Sequence, residues 1–165
     1  MFELKPLSEK GIPAAIEKAE RYRLLNEPRL AESICLDILE VDADNQKAIV
    51  ILLLAVTDQF GKGRSVDPND ARQLLPRLKE EYDREYYAGI ICERQGKTTL
   101  NQSIPGGNYL AYEWLRDAME HFEKAEKNRP SGNDDPILRW NTCVRLIERN
   151  KLEPRPEEPV QTMLE

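Results

Sequence analysis

The chain has 165 residues, enough for one domain with a sizeable core, with or without tails. Hydrophobic residues at 40% and charged residues at 33% are the balance of a water-exposed globular fold, which excludes a low-complexity or membrane-embedded chain. A net charge of −6, with both signs mixed along the sequence, argues against general nucleic-acid binding, because neutralising phosphates needs a basic surface. A protein or peptide is the partner this leaves.

The longest apolar run, Ala48–Val56, is far too short to cross a bilayer and reads as a buried helix, so no membrane association is expected. Met1-Phe-Glu-Leu-Lys-Pro6 lacks the apolar centre of a signal peptide, and a cytoplasmic location is expected. Cys35, Cys92 and Cys143 lie far apart, each within a helical pattern, and read as buried thiols in a reducing compartment.

Residues 1–10 form an N-terminal extension. Gly11-Ile12-Pro13 opens a first helix, with Pro13 in the first turn where its missing amide costs nothing. Ala15, Ile16, Ala19, Tyr22 and Leu25 follow at helical spacing. A second helix is expected from Pro28 to Val41, with Leu30, Ala31, Ile34, Cys35, Ile38 and Leu39 as its face. Asp42-Ala43-Asp44-Asn45 supplies capping residues for a third, over Gln46–Phe60.

Gly61-Lys-Gly63-Arg-Ser65 reads as a flexible connection. Asp67-Pro68 starts a helix with Ala71, Leu75 and Leu78 inward, which Pro76 should kink or restart. No turn signal follows before Gly96, so fused helices are expected there. Gly96–Asn108 reads as a loop, a candidate flap over one end of the molecule. A long helix over Asn108–Asn128, about 30 Å at 1.5 Å per residue, carries Ala111, Leu115, Ala118, Phe122 and Ala125 inward. Asp134-Asp135-Pro136 caps a last helix to Arg149, with Ile137, Trp140, Val144 and Ile147 inward. Residues 151–165, an acidic and proline-rich tail, have too little apolar content to fold alone and are expected to be disordered.

The stretch Ala118-Met-Glu-His-Phe122-Glu-Lys-Ala125-Glu-Lys-Asn-Arg-Pro130 resembles the second helix of a tetratricopeptide repeat. Its small residues let a partner helix approach, its ring fills the space between them, and its proline stops the helix. The first unit is similar to the same family less closely. Tyr22 takes the place of the family's tyrosine and Ala31 that of its first alanine; Cys35, Ile38 and Ala43 replace an aromatic, an alanine and the proline. Ala19 stands in place of the first helix's glycine, and Gly89 resembles that glycine in a later unit whose register stays open. The resemblance implies an all-α, right-handed stack of antiparallel helix pairs over residues 11–150, about three repeats and a closing helix.

Such a family implies a concave groove lined by the first helix of each pair. That places Ile16, Glu20 and Arg23, then Lys47, Val50, Ile51 and Leu54, then Tyr86, Tyr87 and Ile90, along it. Ile16, Glu20 and Ile51 stand where a carboxylate clamp would need polar or basic groups, so that clamp is not expected. The groove reads either as an apolar, aromatic site for a partner segment, anchored by its rings, or as core buried by a short array that curls.

Chemistry finds little support. Gln95-Gly96-Lys97-Thr98 ends like a phosphate-binding loop, but Ile91 stands where that motif needs its first glycine. His121 is the sole histidine, with no second histidine or cysteine at ligand spacing. Arg139-Trp140-Asn141 reads as structural. The sequence therefore predicts a non-enzymatic interaction module without cofactor or metal. A self-associating subunit, its groove filled by another copy or the tail, is the alternative, and an unrecognised enzyme or small-ligand binder a more distant one.

Overall fold

The structure, a computed structural model, describes residues 1–63 and 66–158. These are all-helical, without strands: α1 (Ile12–Leu24), α2 (Pro28–Val41), α3 (Gln46–Thr57), α4 (Pro68–Arg72), α5 (Glu81–Gln102), α6 (Gly107–Lys127) and α7 (Asp135–Arg149), with 3-10 turns at Glu9–Gly11 and Leu75–Arg77. Arg64 and Ser65 of the expected flexible connection, and residues 159–165 of the expected tail, lie outside the described residues.

Local chemistry sets the helix starts. The Asn45 side chain accepts from the Ala48 amide at the head of α3, and Asp67 does the same for Asn69 at the head of α4. Pro13, Pro28, Pro68 and Pro136 all sit in first turns, where a missing amide leaves no bond unmade. Ser8 caps the first 3-10 turn, and Leu7 packs on the core, so the extension is anchored at its inner end.

Two hydrophobic cores result. The first joins α1 to α4, with Cys35, Ile38, Ile49 and Leu53 fully buried, and takes in Ile91 of α5. The second lies among α5, α6 and α7, around Ile90, Leu115, Phe122 and Cys143. Leu54 and Tyr87 pack against both. α3 is buried almost all round, as its unbroken apolar run requires.

α5 and α6 pack together along most of their length because glycines on α5 face bulky groups on α6. A Cβ on Gly89 would lie 2.5 Å from Cε1 of Phe122, and one on Gly96 would lie 3.1 Å from Cγ of Leu115. Ala111, Ala118 and Ala125 keep the opposite side of the contact thin.

Three expectations need correction. Gly96–Asn108 is not a loop: α5 runs through Gly96 to Gln102, and only residues 103–106 connect it to α6. Gly96 is a packing glycine, and Thr99 turns its hydroxyl back to the Gln95 carbonyl inside the helix. The four connecting residues reverse the chain with Ser103 (φ 49°) and Gly106 (φ 70°) in left-handed conformations, so a flap is excluded. The helix that starts at Asp67-Pro68 breaks before Pro76 instead of reaching Leu78, and the uninterrupted stretch expected before Gly96 is the single helix α5 from Glu81. α4 stops at Arg72, Pro76 sits in a 3-10 turn, and Gln46 holds the following extended residues through the Arg77 carbonyl and Lys79 amide. The chain past residue 150 does not leave the fold at once, since Leu152 is buried in the second core and Arg155 lies over the Tyr109 ring.

The close approach sets a stability test. Gly89→Ala, despite the better helix propensity of alanine, is expected to cost about 1–3 kcal/mol by forcing Phe122 aside. Gly96→Ala meets a smaller overlap and is expected to cost less. Urea unfolding of both variants checks the ranking; equal effects would contradict it.

Candidate functional site

α5 presents an unusual stripe. Tyr82 and Tyr86, one turn apart, stack with centroids 5.8 Å apart and planes 10° from parallel. Tyr86 meets Tyr87 edge-on at 5.1 Å and leans on Phe122 at 5.8 Å, which fixes its ring. The Tyr82 hydroxyl accepts from Asn133 at 3.0 Å, tying the stripe to the turn before α7. Burial pushes the Tyr82 phenol up to about 12, against the opposing effect of that hydrogen bond, and pushes Tyr87 up further. These rings stay neutral near pH 7.

Further along α5, Glu93 is fully buried and answered by cations from two helices. Lys97 Nζ lies 2.5 Å from its Oε1, and Arg139 of α7 reaches both carboxylate oxygens at 3.4 and 3.5 Å. Burial works against the Arg139 charge, but Glu93 and the Tyr86 hydroxyl outweigh it and hold its pKa above the ordinary value. Next to Glu93, Arg94 reaches across to the end of α3. Its Nη1 donates to the Leu54 carbonyl at 3.0 Å, the Thr57 hydroxyl at 2.6 Å and Asp58 Oδ1 at 2.5 Å. Arg23 of α1 closes on the same carboxylate, its Nε 2.7 Å from Asp58 Oδ2, an ion pair whose N–H is not aligned for a hydrogen bond.

The result is a continuous strip from Arg23 on α1, over the end of α3, along α5 to Arg139 on α7. Arg23, Arg94, Lys97 and Arg139 face Asp58 and Glu93, four cations against two carboxylates, although the chain carries −6. Burial lowers the Arg94 pKa, Asp58 opposes that, and Arg23 and Arg139 lower it further. At the tyrosine end Asp83 and Asp135 add to the burial that raises the Tyr82 and Tyr87 phenols, so the excess of cations belongs to the Arg23–Arg139 groups alone.

The sequence-expected groove residues divide. Tyr86 and Tyr87 are half-buried, Tyr86 on the strip and Tyr87 packed in both cores. Ile51 and Ile90 are core, 4% and 1% exposed, and no partner reaches them without unfolding. Ile16, Val50 and Leu54 are half-buried against the first core; Glu20 and Lys47 are exposed and make no ion pair among the described residues. Of the pattern residues, Ala31, Gly89, Ala118, Phe122 and Ala125 are buried, Tyr22 is half-buried and Pro130 lies in the turn after α6.

Sequence reasoning missed Tyr82, Asp58, Glu93 and Arg94, and took Lys97 and Arg139 for other things. Tyr82 had a signal, its one-turn spacing from Tyr86. Asp58 and Arg94 had none, since each matters only beside residues on other helices far away in sequence.

The phosphate-loop-like segment is mid-helix, with Lys97 turned to Glu93. His121 Nδ1 lies 2.7 Å from Glu85 Oε2, an α6–α5 contact. Among the described residues no three His, Cys, Asp or Glu side chains cluster as metal ligands would, and no helix is long and apolar enough to cross a membrane. All three cysteines are free and buried. The chain matches no protein-family model, and no curated protein or solved structure is significantly similar to it.

Two measurements follow from this geometry. Arg94→Met strips the end of α3 of its donor and leaves Thr57 and Asp58 half-answered, an expected loss of about 2–3 kcal/mol in urea unfolding. Arg94→Lys, without the planar fork, should recover less than half of that; an unchanged midpoint in Arg94→Met would mean apolar contact alone joins the two cores.

Burial raises the thiols of Cys35 and Cys143 to about 12 and that of Cys92 to about 11. Iodoacetamide at pH 8 should therefore label the folded chain far more slowly than the denatured one. A raised thiol pKa favours the folded state below the unfolded value of 9.0, and that advantage falls as pH rises toward about 12. Unfolding followed across pH 9–12 should show the loss, reduced in Cys35→Ala.

Proposed function

We propose that this protein is a non-catalytic interaction module of tetratricopeptide-like build, which binds a partner protein's segment along the strip from Arg23 to Arg139. The observation that carries the reading is the strip itself. Half-exposed tyrosines and a surplus of guanidinium and ammonium groups share one continuous surface spread over α1, the end of α3, α5 and α7. Alternate helices contribute to it, which is how a stack of helix pairs would line an inner face. The meeting of Gly89 with Phe122 supports the same reading, since these are the residues in which the chain resembles the family's two helices.

The geometry favours a particular segment. Tyr82 and Tyr86 offer ring faces to apolar or aromatic side chains, and their fixed rotamers lose little entropy on binding. Arg139 beside Tyr86, with Arg94 and Lys97 further along α5, favours carboxylates, so the expected segment carries an apolar or aromatic anchor next to acidic residues. Of the two tyrosine anchors expected from sequence this keeps Tyr86, puts Tyr82 in place of Tyr87, and replaces the apolar groove with a charged one.

Selection of binders from a random peptide display library tests this. Acid-rich peptides with an aromatic or large apolar residue are expected. Tyr82→Ala with Tyr86→Ala, and separately Arg139→Ala, should each weaken the selected peptides about tenfold or more, and added salt should weaken them further. Peptides without acidic enrichment, bound equally by these variants, would contradict the proposal.

A further inference from the structure

The two ends of the strip differ in the sign of their charge. α5 and α7 both begin at the tyrosine end, and their first turns carry Asp83 and Asp135. Asp83 lies one turn before Tyr86 and Tyr87, so helical spacing puts it on their side of α5. Asp135 is placed by Asn133. That side chain donates to the Tyr82 hydroxyl through Nδ2 and accepts from the Asp135 amide through Oδ1, each at 3.0 Å. The rings therefore have a carboxylate beside them on each of the two helices.

Neither carboxylate makes an ion pair among the described residues. Arg84 is turned to the Leu78 and Lys79 carbonyls, and Arg129 pairs with Asp134. Each helix start brings about half a positive charge, less than the carboxylates of its own first turn. Burial and the Glu80 carboxylate both push the Asp83 carboxyl above its ordinary value.

Beyond the rings the sign reverses. Arg139, one turn past Asp135 on α7, is held by Glu93 and the Tyr86 hydroxyl. Arg94 and Lys97 continue the cations along α5. From Tyr86 to Lys97 is about 16 Å at 1.5 Å per residue of helix, a distance that about five residues of extended chain would span.

We infer that the strip, taken as the binding surface proposed above, accepts a segment with acidic residues on one flank of its anchor and rejects one acidic on both. Asp83 and Asp135 are the residues that reject. One acidic flank runs from Arg139 toward Lys97. A second would have to lie against Asp83 and Asp135, where like charges brought together cost affinity. Attraction to net positive charge alone would give the opposite order, with the more acidic segment bound more tightly. An extended segment can lie in either chain direction, so the number of acidic flanks matters and not their order.

Isothermal titration calorimetry with two synthetic peptides tests this. Both carry one central tryptophan. The first has glutamates on one flank and serines on the other, and the second has glutamates on both. The one-flank peptide is expected to bind about tenfold more tightly at low salt. Asp83→Asn with Asp135→Asn should erase or reverse that preference. The one-flank affinity should stay within about twofold in this double variant, which also shows that the strip is intact. A two-flank peptide that binds the wild type as tightly as the one-flank peptide would overturn the inference and leave the strip standing, as would a preference that survives in the double variant. If neither peptide binds, or if Arg139→Ala changes neither affinity, the strip is not the binding surface and the inference falls with it.

Discussion

The bridge Arg23–Asp58–Arg94 holds the two halves of this molecule in register. The cores on either side are well packed, but the seam between α3 and α5 is thin, carried by Leu54, Tyr87 and Ile91. Apolar contact of that size resists separation without fixing an angle. A guanidinium that answers a carbonyl, a hydroxyl and a carboxylate at the end of one helix does fix it, because each acceptor restricts a different direction. Arg23 adds α1 to the same carboxylate. The bridge is mostly buried, so water screens it less than a surface pair.

The second half supplies rigidity of another kind. Gly89 and Gly96, two turns apart on α5, let α6 approach closely, and Phe122 and Leu115 fill the space that side chains would have taken. Such an interface has few alternative packings. Tyr86 rests on Phe122, so a ring on the proposed binding surface is backed by the close α5–α6 approach at Gly89. Packing and site are thus linked through one side chain.

The helical fold was largely legible, because helices leave a periodic trace and capping residues mark their starts. Asn45, Asp67 and the first-turn prolines placed the starts of five helices correctly. The Ala118–Pro130 pattern gave the inward face of α6 residue by residue. Gly96 misled because a glycine that ends a helix and one that admits a neighbour look alike locally; only Leu115 and Trp114 opposite it decide. At Pro76 the break itself was legible, but not that the helix before it stops at Arg72 and that α5 begins only at Glu81. The candidate site was read less well. Tyr86 was found, but Ile51 and Ile90 proved to be core, since spacing gives a helix face and not what covers it. Asp58, one position past the end of α3, and Arg94, mid-way along α5, were invisible, because each looks like any surface charge until its partner is in place.

The most direct test of the inner strip as a binding surface is nuclear magnetic resonance of the arginine side chains. An acidic peptide carrying one aromatic residue would be titrated into isotopically labelled protein. Signals of the Arg23, Arg94 and Arg139 Nε–H groups and of the Tyr82 and Tyr86 rings are predicted to shift together, with one dissociation constant. Shifts confined to other faces, or none at concentrations where the peptide binds, would contradict the account.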